Sequence, residues 1–545
     1  MDETDSNVAI LLQRLSAEMP EARAILALGK GRHEQMTFLE LQTDSDRLAD
    51  GLTRHGISRG DRVLLMVRPG IDFISLTFAL FKIGAVAILI DPGLGRKSVL
   101  ACIGNVQPQG MIAIPLAHAA RKVFPNAFRN IKTFVTVGTR WFWGGPNLDE
   151  IRKSGKPEAP MAKTKPDDPA AVLFTSGSAG PPKGVLYTHR MFSGQAEVIR
   201  KIYGIQKGEI DLPTFPLFAL FGVSLGMTCV IPDMDPTRPA NVNPETLTQT
   251  IKDYSVTSSF GSPALWDTVS KYCLENDVRL PTLKRILMAG APVPKPLLER
   301  FKRILSPEAE IHTPYGATES LPVTSITHKE IINETHRLSQ TGSGTCVGKP
   351  VDKISLKIIK ISDEPIPVWS DDLELPQEEI GEIVVRGPWV SRQYYGLEEA
   401  TRSSKIIEGD SFWHRMGDVG FLDDQGRLWF CGRKSQRVIT QERTYFTIPC
   451  EAIFNGHLDV KRSALVGTGP LENRQPVIII EPEYFHRIIG SEEQKRFAKE
   501  LLELGARSDL TRDIHRVLFY TSFPVDIRHN AKISREKLAL WAEKQ

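Results

Sequence analysis

The sequence predicts an α/β protein of two domains. Residues 1–432 form a large N-terminal domain of mainly parallel sheets covered by helices, with a small β-barrel-like subdomain, and residues 433–545 a small α+β domain. Three observations carry this reading. Helical and strand periods alternate through most of the N-terminal part, which implies parallel sheets between layers of helix. Residues 380–432 change to short apolar runs broken by turn residues, the pattern of antiparallel strands. Past residue 433 a shorter series of strands and helices begins, and 545 residues exceed what one compact core organises.

In chain order, residues 41–55 read as an amphipathic helix, 62–67 as a strand and 72–83 as a helix. Residues 85–90 read as a strand stopped by Asp91-Pro92-Gly93. Further on come a strand near 258–260, a helix over Pro263–Glu275 and a strand over Arg285–Met288. Short strands are expected at 381–387 and 427–431, and polar loops at 335–344 and 363–379. The last domain reads as a strand at 476–480, a helix at 492–504, a strand at 517–520 and a closing helix from Ser534.

Composition narrows the function. Sixty-eight Lys and Arg against 65 Asp and Glu leave a formal charge of +3, and no basic tract interleaves with aromatics, so nucleic acid is not an expected partner. Residues 73–90 are the longest apolar stretch, but Lys82 and Gly84 interrupt it, and a core helix followed by a strand fits better than a transmembrane span. The acidic Met1-Asp2-Glu3 start does not resemble a signal peptide. Six scattered cysteines without a CxxC pair read as reduced, mostly buried thiols of a cytoplasmic protein.

The segment from Phe174 to Gly184 carries the chemistry. Thr175, Ser176, Gly177, Ser178, Ala179 and Gly180 lead through two prolines to Lys183, directly after an apolar strand. Glycines let backbone N–H groups approach an anion, while hydroxyls and a lysine supply further donors to phosphate oxygens. It is not a Walker A loop, because Pro182 precedes the lysine and Gly184 follows it. The run resembles the phosphate loop of the adenylate-forming enzymes, the superfamily of acyl-CoA synthetases, luciferases and nonribosomal adenylation domains. Further segments resemble that family in its order: Met288-Ala289-Gly290-Ala291-Pro292, Thr313-Pro314-Tyr315-Gly316-Ala317-Thr318-Glu319, His414-Arg415-Met416-Gly417-Asp418, Gly432-Arg433-Lys434 and Lys532.

The resemblance implies ATP and Mg²⁺ as cofactors. Thr175, Ser176, Gly177, Ser178, Gly180 and Lys183 would hold phosphates. Gly290, Ala291, Pro292, Tyr315, Gly316, Ala317 and Thr318 would enclose adenine, and Asp418 and Arg433 would meet the ribose. Glu319 would bind the metal. Lys532 would bring a charge to the reacting carboxylate and α-phosphate from a mobile C-terminal domain turning near Ser435. Catalysis of such a transfer is mostly positioning and electrostatic stabilisation.

Several positions depart from the acyl-CoA synthetase pattern. Ala219 stands where many relatives carry histidine beside the thiol tunnel, Ser435 where Asp or Lys is usual, and the segment 437–443 lacks a glycine that usually lines the CoA path. Ala179 removes a hydroxyl from the phosphate loop. Other segments, among them Asp91 to Arg96, Asp211 to Pro216 and Val230 to Pro239, resemble the β-lactone synthetases of bacterial long-chain olefin biosynthesis. That resemblance implies adenylation of a 2-alkyl-3-hydroxy fatty acid, attack by its own hydroxyl, and assembly with other olefin-pathway enzymes. Phe218, Phe221, Phe260 and Gly261 would line the acyl pocket, although core packing explains any one of the aromatics as well. A long-chain acyl-CoA ligase is the alternative. An inactive nucleotide-binding relative is a further one, permitted by Ala179 and Ser435. Gly222-Val223-Ser224-Leu225-Gly226 matches GxSxG, but a hydrolase elbow needs a strand before the serine, and here a strand is expected after it.

Overall fold

The computed structural model describes residues 6–29, 32–174, 181–470, 473–485, 490–526 and 532–545. Two large sheets make up the N-terminal part. The six-stranded sheet runs Thr133–Thr136, Gly110–Ala113, Arg62–Met66, Val86–Ile90, Pro169–Phe174, Gly184–Thr188 from edge to edge. Its first five strands are parallel and the last is antiparallel. Parallel strands covered on both faces need apolar side chains in succession, and Val86–Ile90 is buried at every position. Beside it, helix Ile71–Ile83 is buried almost throughout. Lys82, which interrupts the apolar stretch, is itself buried and pairs with Asp46 at 2.8 Å and with Ser45 Oγ at 2.7 Å. Desolvation pulls its ammonium down to about 8 against the pull of Asp46. Among the described residues no helix is long and apolar enough to cross a membrane.

The second sheet has 14 strands among the described residues. Its parallel part comprises Glu310–Ala317, Arg285–Met288, Ser258–Gly261, Ile210–Pro213, Thr228–Ile231 and Arg23–Gly29. Antiparallel strands extend it past Glu310–Ala317, in the order Ser320–Thr327, Thr345–Pro350, Leu428–Arg433, Ser411–Leu422, Gly381–Arg386 and Ser355–Ile359. The short strands expected over 380–432 are this extension. The C-terminal unit is α+β. Strands Val460–Thr468, Gln475–Pro482 and Arg516–Phe519 form a sheet, with helices Thr447–Asn455, Ser491–Gly505 and Arg535–Ala542 around it and separate apolar clusters of its own. A buried ion pair, Arg535 to Glu451 at 2.6 Å, ties the last helix to the first.

One expected loop is helical. Residues 331–340 continue from Thr327 as helical turns ending in helix His336–Gln340. Thr327 and Glu330 satisfy each other's backbone donors as a capping box, Ile331 and Ile332 pack on the core, and Gly342 ends the run at φ +96°. The polar outer face concealed it. Ser224 is the last residue of helix Pro216–Ser224, with strand Thr228–Ile231 after it, so no strand leads into that serine. All six cysteines are buried free thiols.

Candidate active site

The two halves of the extended sheet meet at Tyr315. Strand pairing sets Asp418 directly opposite Arg433, and Arg433 Nη1 lies 2.8 Å from Asp418 Oδ1. The Tyr315 hydroxyl donates to Asp418 Oδ2 at 2.6 Å. Burial pushes the Asp418 carboxyl upward, while Arg433 and Tyr315 oppose that shift. Burial and the neighbouring Asp418 hold Tyr315 far above the ordinary phenol range, so it remains a donor. Asp418 Oδ1 is buried and receives no well-aligned hydrogen bond, despite the guanidinium beside it. An acceptor in that condition suits a hydroxyl donor.

Glu319 follows on the turn after strand Glu310–Ala317. Its Oε1 accepts from the Tyr394 hydroxyl at 2.7 Å, and its backbone carbonyl accepts from Ser391 N at 2.8 Å. Tyr187 OH fixes the carbonyl of Thr318 at 2.7 Å. Lys183 Nζ stands 4.9 Å from the centre of the Tyr394 ring, so Lys183 and Glu319 flank one tyrosine. Tyr395 N donates to Gly184 O at 2.7 Å, which fastens the end of the glycine-rich segment to the same chain stretch. Below lies Lys405, buried, donating to Ser391 O and facing His414 Nδ1 at 2.9 Å. Burial lowers its ammonium to about 7, with Glu319 pulling the other way. The same burial and the nearby Lys405 keep His414 neutral.

Gly290, Ala291 and Pro292 lie just past the C-terminal end of strand Arg285–Met288, exposed or half-exposed, with Gly290 at φ +95°. Gly316, Ala317 and Thr318 are half-buried beside Tyr315. Thr175, Ser176, Gly177, Ser178 and Gly180 lie outside the described residues, as does Ala179. Ser435 sits in the turn Lys434–Gln436, immediately after Arg433 and Lys434. Lys532 is exposed on the C-terminal unit, its carbonyl accepting from Asp526 N at 2.9 Å, just before helix Arg535–Ala542.

An apolar cavity adjoins this group. Phe218, Phe221 and Phe260 line it, with Phe218 and Phe260 stacked at 3.4 Å between ring centres. Pro314, Leu321 and Pro322 line it too, so it borders the segment that carries Tyr315 and Glu319. Gly261 turns its Cα toward Trp266 and Thr214, where a Cβ would come within 2.7 Å of the indole nitrogen. The cavity's polar wall is Asp211, buried, with Ser258 beside it. Desolvation pushes the Asp211 carboxyl up to about 7.

Glu319 is a single carboxylate, and among the described residues no group of three His, Cys, Asp or Glu could hold a metal ion. Mg²⁺ is commonly bound by one carboxylate together with substrate phosphates and water, so this donor fits a metal that arrives with a nucleotide.

Sequence reasoning did not find Tyr394, Lys405 or Asp211. The pair Tyr394-Tyr395 ahead of Gly396 was the available signal for the first. Lys405 and Asp211 are single polar residues whose burial only the packing reveals.

A large α/β unit whose strands gather a buried acid, an arginine and a tyrosine beside an apolar cavity, followed by a small α+β unit, defines a nucleotide-dependent acid-activating enzyme. The comparisons make this specific. Residues 12–395 match the model of the family described as AMP-binding enzyme, and the chain belongs to that family. It is 44% identical over 555 aligned residues to an olefin beta-lactone synthetase of Xanthomonas campestris pv. campestris, covering 99% of this chain and 98% of that protein. A second olefin beta-lactone synthetase, from Stenotrophomonas maltophilia, is 43% identical with 98% of each covered. The crystal structure of the anthranilate CoA ligase AuaEII in complex with anthranoyl-AMP superposes with a TM-score of 0.78 at 19% identity, over 100% of this chain and 98% of that one. The chain is an AMP-forming ligase that activates its substrate as an acyl-adenylate.

Proposed function

We propose that the chain adenylates a 2-alkyl-3-hydroxy fatty acid and closes it to a β-lactone. The observation that carries this is the apolar cavity bordering the Tyr315–Glu319 segment, in a chain similar over nearly its whole length to olefin beta-lactone synthetases. An alkyl chain in that cavity brings its carboxylate to the polar cluster.

The carboxylate oxygen attacks the α-phosphorus of ATP, and the bond to pyrophosphate breaks. Lys183, with donors of the glycine-rich segment, holds the leaving phosphates. Lys532 supplies positive charge to the two anions as they meet. Asp418 takes the ribose hydroxyls, with Arg433 swinging aside from Oδ1. Tyr315 packs against adenine. Glu319 is the residue that would hold Mg²⁺, which would supply neutralisation of the phosphate charge. The 3-hydroxyl oxygen then attacks the acyl carbon, its proton passes to solvent water, and AMP departs with the bonding electrons as the acyl–phosphate bond breaks. Both reacting groups belong to one molecule, and the resulting effective concentration offsets strain in the four-membered ring.

Residues 433–545 move as the second domain in this reading, in a protein of the cytoplasm. The contacts around Ser435 support the hinge. Lys434 bonds Ser362 O at 2.6 Å on the large unit, while Gln436 bonds Glu536 at 3.2 Å on the small one.

Product analysis by low-temperature NMR, with ATP, Mg²⁺ and the hydroxy acid, tests the proposal. β-Lactone and AMP formed without CoA are expected. A thioester formed only when CoA is present overturns the lactone reading in favour of a long-chain acyl-CoA ligase.

A further inference from the structure

Between Asp91 and Asp149 the chain contains no acidic residue, yet it carries seven cations: Arg96, Lys97, Arg121, Lys122, Arg129, Lys132 and Arg140. Phe124, Phe128 and Phe134 fall among the last five and Trp141 follows directly, so a basic tract with aromatics is present after all, contrary to the sequence expectation. Elsewhere the two signs nearly balance, since the whole chain is only +3. This stretch also exposes four large apolar side chains. Leu116 is 73% exposed, Val123 68%, Trp141 53% and Phe142 78%.

The fold gathers the apolar side chains at one edge of the six-stranded sheet, while Lys132, just before strand Thr133–Thr136, stands at that strand's other end. Helix Pro115–Val123 follows strand Gly110–Ala113, and the segment bearing Trp141 and Phe142 follows the neighbouring parallel strand Thr133–Thr136. Both therefore begin at the same end of the sheet. Leu116 and Val123, seven residues apart, share one helix face, and that face points to water. The opposite face is anchored by His118, whose ring stacks on Trp143 at 5.4 Å. Trp143 is buried, donates to Thr136 Oγ1 at 2.9 Å, and supports the rings of Trp141 at 5.2 Å and Phe142 at 5.3 Å. The outer aromatics are thus held outward on a rigid base. Arg140 is committed to Glu150 at 3.0 Å and Arg121 lies over the Phe134 ring, but Lys97, Lys122, Arg129 and Lys132 are exposed cations that form no ion pair among the described residues.

We propose that this edge docks the protein on an anionic lipid surface. Tryptophan and phenylalanine enter the headgroup boundary, the helix lies along it, and the cations meet lipid phosphates. Exposed apolar patches mark interaction sites, and interfacial aromatics flanked by Lys and Arg, with the nearby Glu150 neutralised by Arg140, match a bilayer of negative charge. Each cation near such a surface contributes roughly fivefold in partitioning. Strand Pro169–Phe174 runs parallel to these strands and finishes at the same end of the sheet, so docking would keep that end near a source of alkyl-chain substrate. The inference does not depend on which acid is activated.

Vesicle flotation of the full chain tests it, with phosphatidylcholine alone and with phosphatidylcholine containing phosphatidylglycerol. The wild type is expected to float with the anionic vesicles at low salt and to be released as salt rises. Trp141→Ser/Phe142→Ser should lower binding about tenfold or more, with adenylation in detergent-solubilised substrate and the thermal melt unchanged. Lys122→Glu/Arg129→Glu should weaken binding to the anionic vesicles. Wild-type protein that floats with neither vesicle overturns the proposal in favour of a protein-docking face. Equal flotation of the aromatic variant and the wild type also overturns it.

Discussion

In the proposed function the site has a nucleotide end and an acyl end, and the two are built by opposite means. At the nucleotide end, strand register sets the geometry: Asp418 faces Arg433 across a β-ladder, and Tyr315 reaches Asp418 from a strand farther along the same sheet. At the acyl end the wall is packing, two stacked phenylalanines and a shell of aliphatic side chains, with one buried acid. Register fixes polar distances, because sliding a strand by one residue turns every side chain to the other face. Packing fixes only a volume, which substitution can reshape. The first end should therefore tolerate no change of chemistry, and the second should trade one substrate for another.

Lys532→Ala should have the largest effect. Adenylation measured by ATP–pyrophosphate exchange should fall by about 10²–10³ or more, with ATP affinity nearly unchanged. Unaltered exchange would remove Lys532 from the reaction. Asp418→Ala comes next, since it removes the buried acceptor that the proposed function gives to the ribose. The KM for ATP should rise about 10–100-fold with kcat for the bound complex less affected. A loss confined to kcat would mean that the carboxylate serves something other than binding.

Asp211 gives the acyl end a pH signature. Its folded carboxyl titrates near 7 and its unfolded one near 3.8, so between those values the folded state holds the extra proton and stability falls as pH rises. From pH 5.5 to 8.5 this amounts to about 2 kcal/mol in the wild type. Asp211→Asn should remove that part of the pH dependence in urea denaturation. Identical slopes in the two proteins would show that the group is ionised in the folded state. Phe218→Ala should act least on the reaction as a whole, shifting preference toward bulkier alkyl chains by about tenfold in kcat/KM. A uniform loss across chain lengths would mean that the ring supports the fold and not the pocket.

The cluster of Asp418, Arg433 and Tyr315 could be picked out in the sequence, because these residues sit in short motifs whose order survives in one dimension. Asp418 and Arg433 could be named before their distance was known. The helices and strands of the large unit were legible for a related reason, since Pro263–Glu275 carries both its start signal, Ser262, and its apolar period. What escaped has a shared cause. Tyr394, Lys405 and Asp211 owe their properties to neighbours distant in sequence: Glu319 for the tyrosine, burial beneath Ser391 for the lysine, Ser258 and the cavity for the acid. A polar residue alone on a strand carries no local sign that it is desolvated. Residues 335–344 escaped because their helix shows a polar surface outward, and composition cannot separate that from a loop.

The burial of all six cysteines has a practical side. Low dielectric surroundings hold the thiols protonated, with Cys102, Cys273 and Cys346 pushed to about 11 and Cys450 to about 12. Since the thiolate is the nucleophile, a chain with six sulfhydryls should behave toward aqueous alkylating reagents almost as if it had none. Oxidation of these thiols should accordingly be slow while the chain stays folded. A pair of cysteines placed by design on the outer faces of the two units would be the quickly reactive ones. Dye-labelled protein could then test in real time whether the two units move about Ser435 as proposed, without first stripping the native thiols.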